Sequence, residues 1–294
     1  MPDNLLELKN DLVFQNLFGN PKNSQITSHL LSLILKRKIY NIDLDVNKRM
    51  LRSPDLKLGR LDIRAKFNDG EECNIELQIK AYKNMESRML EYWAMMYGNK
   101  VHRGQKETLT KPTISILIAD YNVPKTKNIS QYHTIWTLRE NTHKNVQLTN
   151  DIEMHILEIP KINDSELKCD ELAQWLKFIE NPESEEVNFL MSENKYWKQA
   201  KEELNYLSGD EDFMRLVEAR AGFLRDQEVN FEEAKKEGEQ KGRLEGILEG
   251  EQKGKIEGEF SKAKEIAKKM KAKNISIDTI IELTGLTKED IEKL

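Results

Sequence analysis

Residues 60–80 read RLDIRAKFNDGEECNIELQIK. In the first part, Leu61, Ile63, Ala65 and Phe67 alternate with Asp62, Arg64 and Lys66. In the last part, Cys73, Ile75, Leu77 and Ile79 alternate with Asn74, Glu76, Gln78 and Lys80. Strict alternation is the signature of a strand with one apolar and one polar face. Asn68, Asp69 and Gly70 lie between the two runs and suit a chain reversal with positive φ. The spacing therefore predicts a β-hairpin. Its register pairs position 66 with 72 or 73 and brings position 62 close to 76 or 77.

The flanking sequence predicts an α/β protein. Residues 5–18 and 24–38 carry leucines and isoleucines at helical spacing, separated by Gly19, Asn20 and Pro21. Residues 84–101 form a third amphipathic helix with Met85, Met89, Tyr92 and Met96 on one stripe. The run TISILIA at 113–119 is apolar throughout, as expected of a central strand covered on both sides. Two more strands are expected at 132–138 and 152–159. Beyond residue 165 the chain turns helical and acidic, over 170–180 and 185–235. Gly238, Gly242, Gly246, Gly250, Gly254 and Gly258 then recur every fourth residue. Two short helices close the chain, the second with Thr287 as N-cap and Asp290 three residues on. The resulting division is 1–165, an α/β domain; 166–237, a helical region; 238–260, a glycine-repeat helix or linker; and 261–294, a small helical segment.

Composition narrows the classes of function. No run of 18 apolar residues occurs, so no membrane span is expected. The first residues lack a secretory pattern, and two cysteines, Cys73 and Cys169, make no disulfide framework; a reduced, cytoplasmic protein is the expectation. The five histidines lack the spacings of a zinc site. The net charge is −5, unevenly spread. Residues 1–165 hold 24 Lys and Arg against 20 Asp and Glu, and residues 166–294 hold 22 against 31. A nucleic-acid site needs local cations, and the first half, with its positive balance, is where such a site is expected.

Asp62 and Glu76 are the residues whose chemistry stands out. On paired strands and a shared face, two carboxylates repel unless a cation lies between them. Mg²⁺ takes hard oxygen ligands, often one or two carboxylates completed by water and phosphate. Gln78 follows on the same face, and Lys80 after it. The alternation alone fits a solvated strand face better than a site, with Asp62 and Glu76 in weak surface ion pairs.

Several stretches together resemble the Rpn family of recombination-promoting nucleases and transposases, of the PD-(D/E)XK superfamily. They are NDLVFQNLFGNPKN (10–23), GRLDIRAKFNDGEECNIELQ (59–78), SRMLEYWAMMYGNKVHRGQ (87–105) and LTGLTKEDIEKL at the end. The resemblance implies a restriction-endonuclease-like core, a mixed β-sheet flanked by helices and followed by an α-helical C-terminal region. It implies DNA as partner and cleavage that depends on Mg²⁺ or Mn²⁺, linked to recombination or mobile elements. It makes Asp62 and Glu76 metal ligands, with the Leu77 carbonyl as a third. Gln78 stands where the superfamily more often has Lys, so it would orient water rather than donate a proton, and Lys80 would supply part of the missing charge. Asp11, in the opening motif, would be a further acidic site residue. Arg88 and Tyr92, four apart on the third helix, would contact phosphate. A catalytically silent DNA-binding protein on the same fold, or an interaction protein acting through its helical tail, are the alternatives. The glycine stripe, which advances about 40° around a helix at each step, suits a homodimer, docking on the core, or a frayed connector.

Overall fold

The computed structural model describes residues 5–45, 63–81, 84–100 and 111–294. In chain order, α1 (Asp11–Phe18) and α2 (Ser24–Ile34) precede β1 (Asp43–Asp45), β2 (Ile63–Lys66) and β3 (Glu72–Gln78). Next come α3 (Met85–Lys100), β4 (Thr113–Ala119), β5 (His133–Thr137) and β6 (Ile152–Glu158). Helices α4 (Asp164–Cys169), α5 (Glu171–Glu180), α6 (Glu185–Leu190), α7 (Lys195–Gly209), α8 (Glu211–Ala272), α9 (Ile277–Thr284) and α10 (Lys288–Glu292) follow. The strands form one sheet in the order β1-β2-β3-β4-β6-β5. β3, β4 and β6 run parallel, and β1, β2 and β5 are antiparallel to their neighbours. The class is α/β: a mixed sheet flanked by helices, with a helical C-terminal region.

The hairpin has the expected register. Ile63 pairs with Ile75 and Lys66 with Glu72, around a turn in which the Gly70 N–H donates to the Phe67 carbonyl. Gly70 has φ 88°, a conformation that costs an L side chain free energy and glycine almost none. β4 is buried along all seven residues, as its unbroken apolar run requires. Parallel strands need a crossover, and α3 lies between β3 and β4 in the chain.

The two faces of the sheet carry separate cores. On one, Cys73, Ile75, Ile116, Ile118 and Leu157 join the large cluster built with α1, α2, α5 and α7. On the other, Leu117, Ala119, Met154 and Ile156 pack with Met85 and Met89 of α3, and Trp93 lies against them. The chain divides into two compact units, Met1–Phe223 and Leu224–Leu294. Residues 166–223, distinct in composition, share the large core. Trp175 is fully buried there, edge-on to Phe18 and Phe178, and Trp197 packs against Phe178 in turn.

Helix ends follow side-chain chemistry that periodicity does not show. α1 starts only at Asp11 because the Asn10 side chain accepts from the Leu12 N–H. α2 stops at Ile34, just before Lys36 turns left-handed at φ 52°. The expected helical stretch 185–235 is three helices, restarted at Asn194 and Asp210. Asn194 accepts from the Tyr196 and Trp197 N–H groups, and Asp210 from that of Phe213.

In the second unit, Ala267, Ile280, Leu286 and Ile291 form a small core from the end of α8, α9 and α10. Gly285 supplies a left-handed turn at φ 67°, and Thr287 caps α10 through the Asp290 N–H. The glycine repeat lies within α8, and a methyl group added at any of its six glycines would meet nothing within 4 Å.

Trp175→Ala is expected to destabilise the first unit by about 3–5 kcal/mol, the usual cost of emptying an aromatic core position. Urea denaturation followed by far-UV circular dichroism measures it, and a change near zero contradicts the shared core.

Candidate metal centre

Glu76 is the best-defined candidate. It sits in the middle of β3, on the face toward α3, opposite Leu117 of β4. It is 4% exposed, so the solvated strand face is ruled out for this position. Burial alone holds its carboxyl above the ordinary range, while the Arg88 charge and the Gln78 hydrogen bond pull it back down. Gln78 Nε2 donates to Glu76 Oε1 at 2.7 Å, and Arg88 Nη2 lies 3.1 Å from the same oxygen. Arg88 Nε donates to Tyr92 Oη at 2.8 Å, and the guanidinium stands 5.3 Å from the Tyr92 ring centre. The i, i+4 spacing on α3 makes that pair possible. Glu76, Gln78, Arg88 and Tyr92 are thus joined in one cluster.

No described hydrogen bond or ion pair joins the other expected residues to this cluster. Asp62 is outside the described residues. Leu77 is in the paired strand, and its side chain packs against the large core. The strand ends at Gln78, whose carbonyl accepts from the Asp120 N–H at 2.9 Å. Lys80 is exposed beyond it, and no described contact joins it to Glu76. Asp11 has other partners. Its Oδ2 accepts from Arg220 Nε at 3.0 Å and Nη2 at 2.8 Å. Arg220 comes from α8 and is 1% exposed. The Asp11 side chain therefore ties α8 to α1 and is not brought to Glu76 by any described contact.

Two residues near the centre were not foreseen. Asn74 shares the Glu76 face, is buried, and its amide nitrogen and oxygen have no hydrogen-bond partner among the described residues. Asp120 follows directly after β4, beside Gln78, and pairs with Lys9 at 3.2 Å. The carboxyl ends of parallel strands are where ligands bind in open α/β sheets, and that position was its only signal in the sequence.

A family model described as PD-(D/E)XK nuclease family transposase matches residues 8–234. The chain belongs to this family. No curated protein and no solved structure matches it. The match spans α1 to the first part of α8 and so includes both the Glu76 cluster and the Asp11–Arg220 pair. PD-(D/E)XK nucleases generally use divalent metal ions. Among the described residues no three His, Cys, Asp or Glu side chains form a metal-binding group. The local chemistry still fits a hard cation: Glu76 is a buried carboxylate, and its Oε2 has no hydrogen-bond partner among the described residues. No helix among the described residues is long and apolar enough to cross a membrane.

A separate titratable row lies on β5 and β6. Glu153 Oε1 is 2.7 Å from His155 Nε2, and His155 Nδ1 is 2.8 Å from His133 Nε2. Burial, with the neighbouring His155 and Lys36 charges, pushes the His133 imidazole down to about 4.

Two predictions follow from these contacts. Asp11→Ala removes two charge-assisted hydrogen bonds from the buried Arg220 guanidinium and is expected to cost about 1.5–3 kcal/mol of stability, read as a lower urea midpoint. A variant with unchanged stability contradicts the anchoring role. Between about pH 6.5 and 4, His133 takes a proton in the unfolded chain and not in the folded one. Stability therefore falls as pH drops through that window. His133→Gln is expected to flatten that part of the pH–stability profile.

Proposed function

We propose that the chain is a metal-dependent DNA endonuclease that hydrolyses phosphodiester bonds with Mg²⁺ or Mn²⁺. The observation that carries this reading is a buried carboxylate, Glu76, on the central hairpin of a PD-(D/E)XK family fold, with one oxygen that has no hydrogen-bond partner among the described residues. Asp62 and Glu76 would hold the ion, with the Leu77 carbonyl as a third oxygen. The chemistry such an ion would supply is activation of a water and neutralisation of charge on the phosphate.

The side chains around it have distinct tasks. Gln78 has no titratable proton, so it is not a general acid. Its Nε2–H fixes Glu76 Oε1, which leaves its own amide oxygen to orient a water molecule. Arg88 is a fixed cation beside Glu76 with a planar fork of donors suited to phosphate oxygens. Tyr92 positions Arg88 through its hydroxyl and ring face. A role in recombination or mobile-element movement agrees with the transposase description of the family.

Supercoiled plasmid provides the assay. The wild type is expected to nick it with Mg²⁺ or Mn²⁺ and not in EDTA. Asp62→Ala and Glu76→Ala are each expected to lower the rate at least about a hundredfold, the scale on which losing a charge-stabilising group acts. Undiminished cleavage by Glu76→Ala, or cleavage in EDTA, overturns the proposal.

A further inference from the structure

Arg88 occupies one oxygen of the carboxylate that the proposed metal requires. Glu76 Oε1 receives two donors, Arg88 Nη2 at 3.1 Å and Gln78 Nε2 at 2.7 Å, and Oε2 receives none among the described residues. Of the two donors only Arg88 is charged, so only it offsets the desolvation of a buried anion. The Arg88 side chain is 29% exposed and so has a path to solvent. Its tether is Tyr92, which accepts from Nε at 2.8 Å and lies under the guanidinium.

We propose that Arg88 is a counter-ion of Glu76 in the metal-free chain, and that a divalent cation displaces it from that carboxylate and lets its guanidinium turn to a DNA phosphate. This rests on Glu76 being a metal ligand. A guanidinium and a dication cannot both sit close against one carboxylate without strong repulsion, because charges in a partly buried site interact several times more strongly than in water. Gln78 is neutral, so its hydrogen bond to Oε1 survives the exchange and keeps the carboxylate oriented. Arg88 is a long side chain held by Tyr92, which lets the head group move while its stem stays in place. A released fork of N–H donors matches the oxygens of a phosphate diester. Metal and DNA would then bind cooperatively. Metal releases Arg88 from Glu76 for the phosphate, and by linkage DNA strengthens metal binding to the same degree.

Mn²⁺ binding to the full chain without DNA tests this, by titration calorimetry and by electron paramagnetic resonance of free Mn²⁺. Arg88→Gln removes the competing charge and is expected to bind Mn²⁺ at least about tenfold more tightly, the effect of one pKa unit of charge interaction. Arg88→Lys keeps the charge and is expected to stay within about threefold of wild type on the same scale. Tyr92→Phe loosens the tether without a large change of shape, and tighter Mn²⁺ binding is expected there too. Glu76→Gln is expected to lose Mn²⁺ binding. Mn²⁺ should also raise the melting temperature of Arg88→Gln more than that of wild type. Unchanged or weaker Mn²⁺ binding in both Arg88→Gln and Tyr92→Phe, with binding lost in Glu76→Gln, overturns the exchange and leaves Glu76 a ligand. Full Mn²⁺ binding by Glu76→Gln overturns the metal reading and the exchange together.

Discussion

A carboxylate removed from water must be neutralised by a proton or accompanied by a positive charge. Glu76 meets this constraint in the middle of the sheet, and the surrounding structure answers it. The hairpin fixes the backbone of β3, and β4 closes one side. α3 covers the face and delivers Arg88, held by Tyr92 one turn later. Gln78 shares the same oxygen from two residues along the strand. An apolar residue at position 76 would satisfy the packing of this face without any of these polar contacts. The polar cluster is therefore better explained by chemistry than by stability, since a buried ion pair is seldom more stable than a well-packed apolar group.

The same sheet needs a second cover. Its opposite face is closed by α1 and α2 together with helices that come more than 90 residues after the hairpin. Trp175, Phe178 and Trp197 complete that core. Arg220 then reaches back to Asp11 at the start of α1, across 209 residues of sequence. The acidic composition of the C-terminal half is thus no guide to where the first compact unit ends. Within residues 166–223, Leu172, Trp175, Leu176 and Leu204 are buried, and no acidic residue is.

Local geometry was legible in the sequence, and long-range partnership was not. Alternation with an NDG turn was enough for the hairpin and its register, because side-chain period and turn length leave few alternatives. TISILIA was enough for the central strand. The burial of the polar face of β3 was hidden, because alternation describes which residues share a face and not what covers it. Arg88 and Tyr92 were visible as an i, i+4 pair, but their target was not. Asp11 shows the limit most clearly. Its place in a motif suggested chemistry, whereas its partner lies on a helix no local pattern connects to it. The helix restarts at Asn194 and Asp210 were readable in principle, since both are N-capping residue types.

The glycines of α8 have a further consequence. None has a neighbour among the described residues of the chain that would resist a side chain. Each weakens the helix by about 1 kcal/mol relative to alanine, and the ion pairs along it, such as Lys253 with Glu249, are exposed and weak. The hydrophobic clusters of the chain lie before and after this stretch. Residues 238–258 are consequently where the helical backbone opens at least cost. Their amide protons should exchange with solvent through local fluctuations, long before either cluster unfolds.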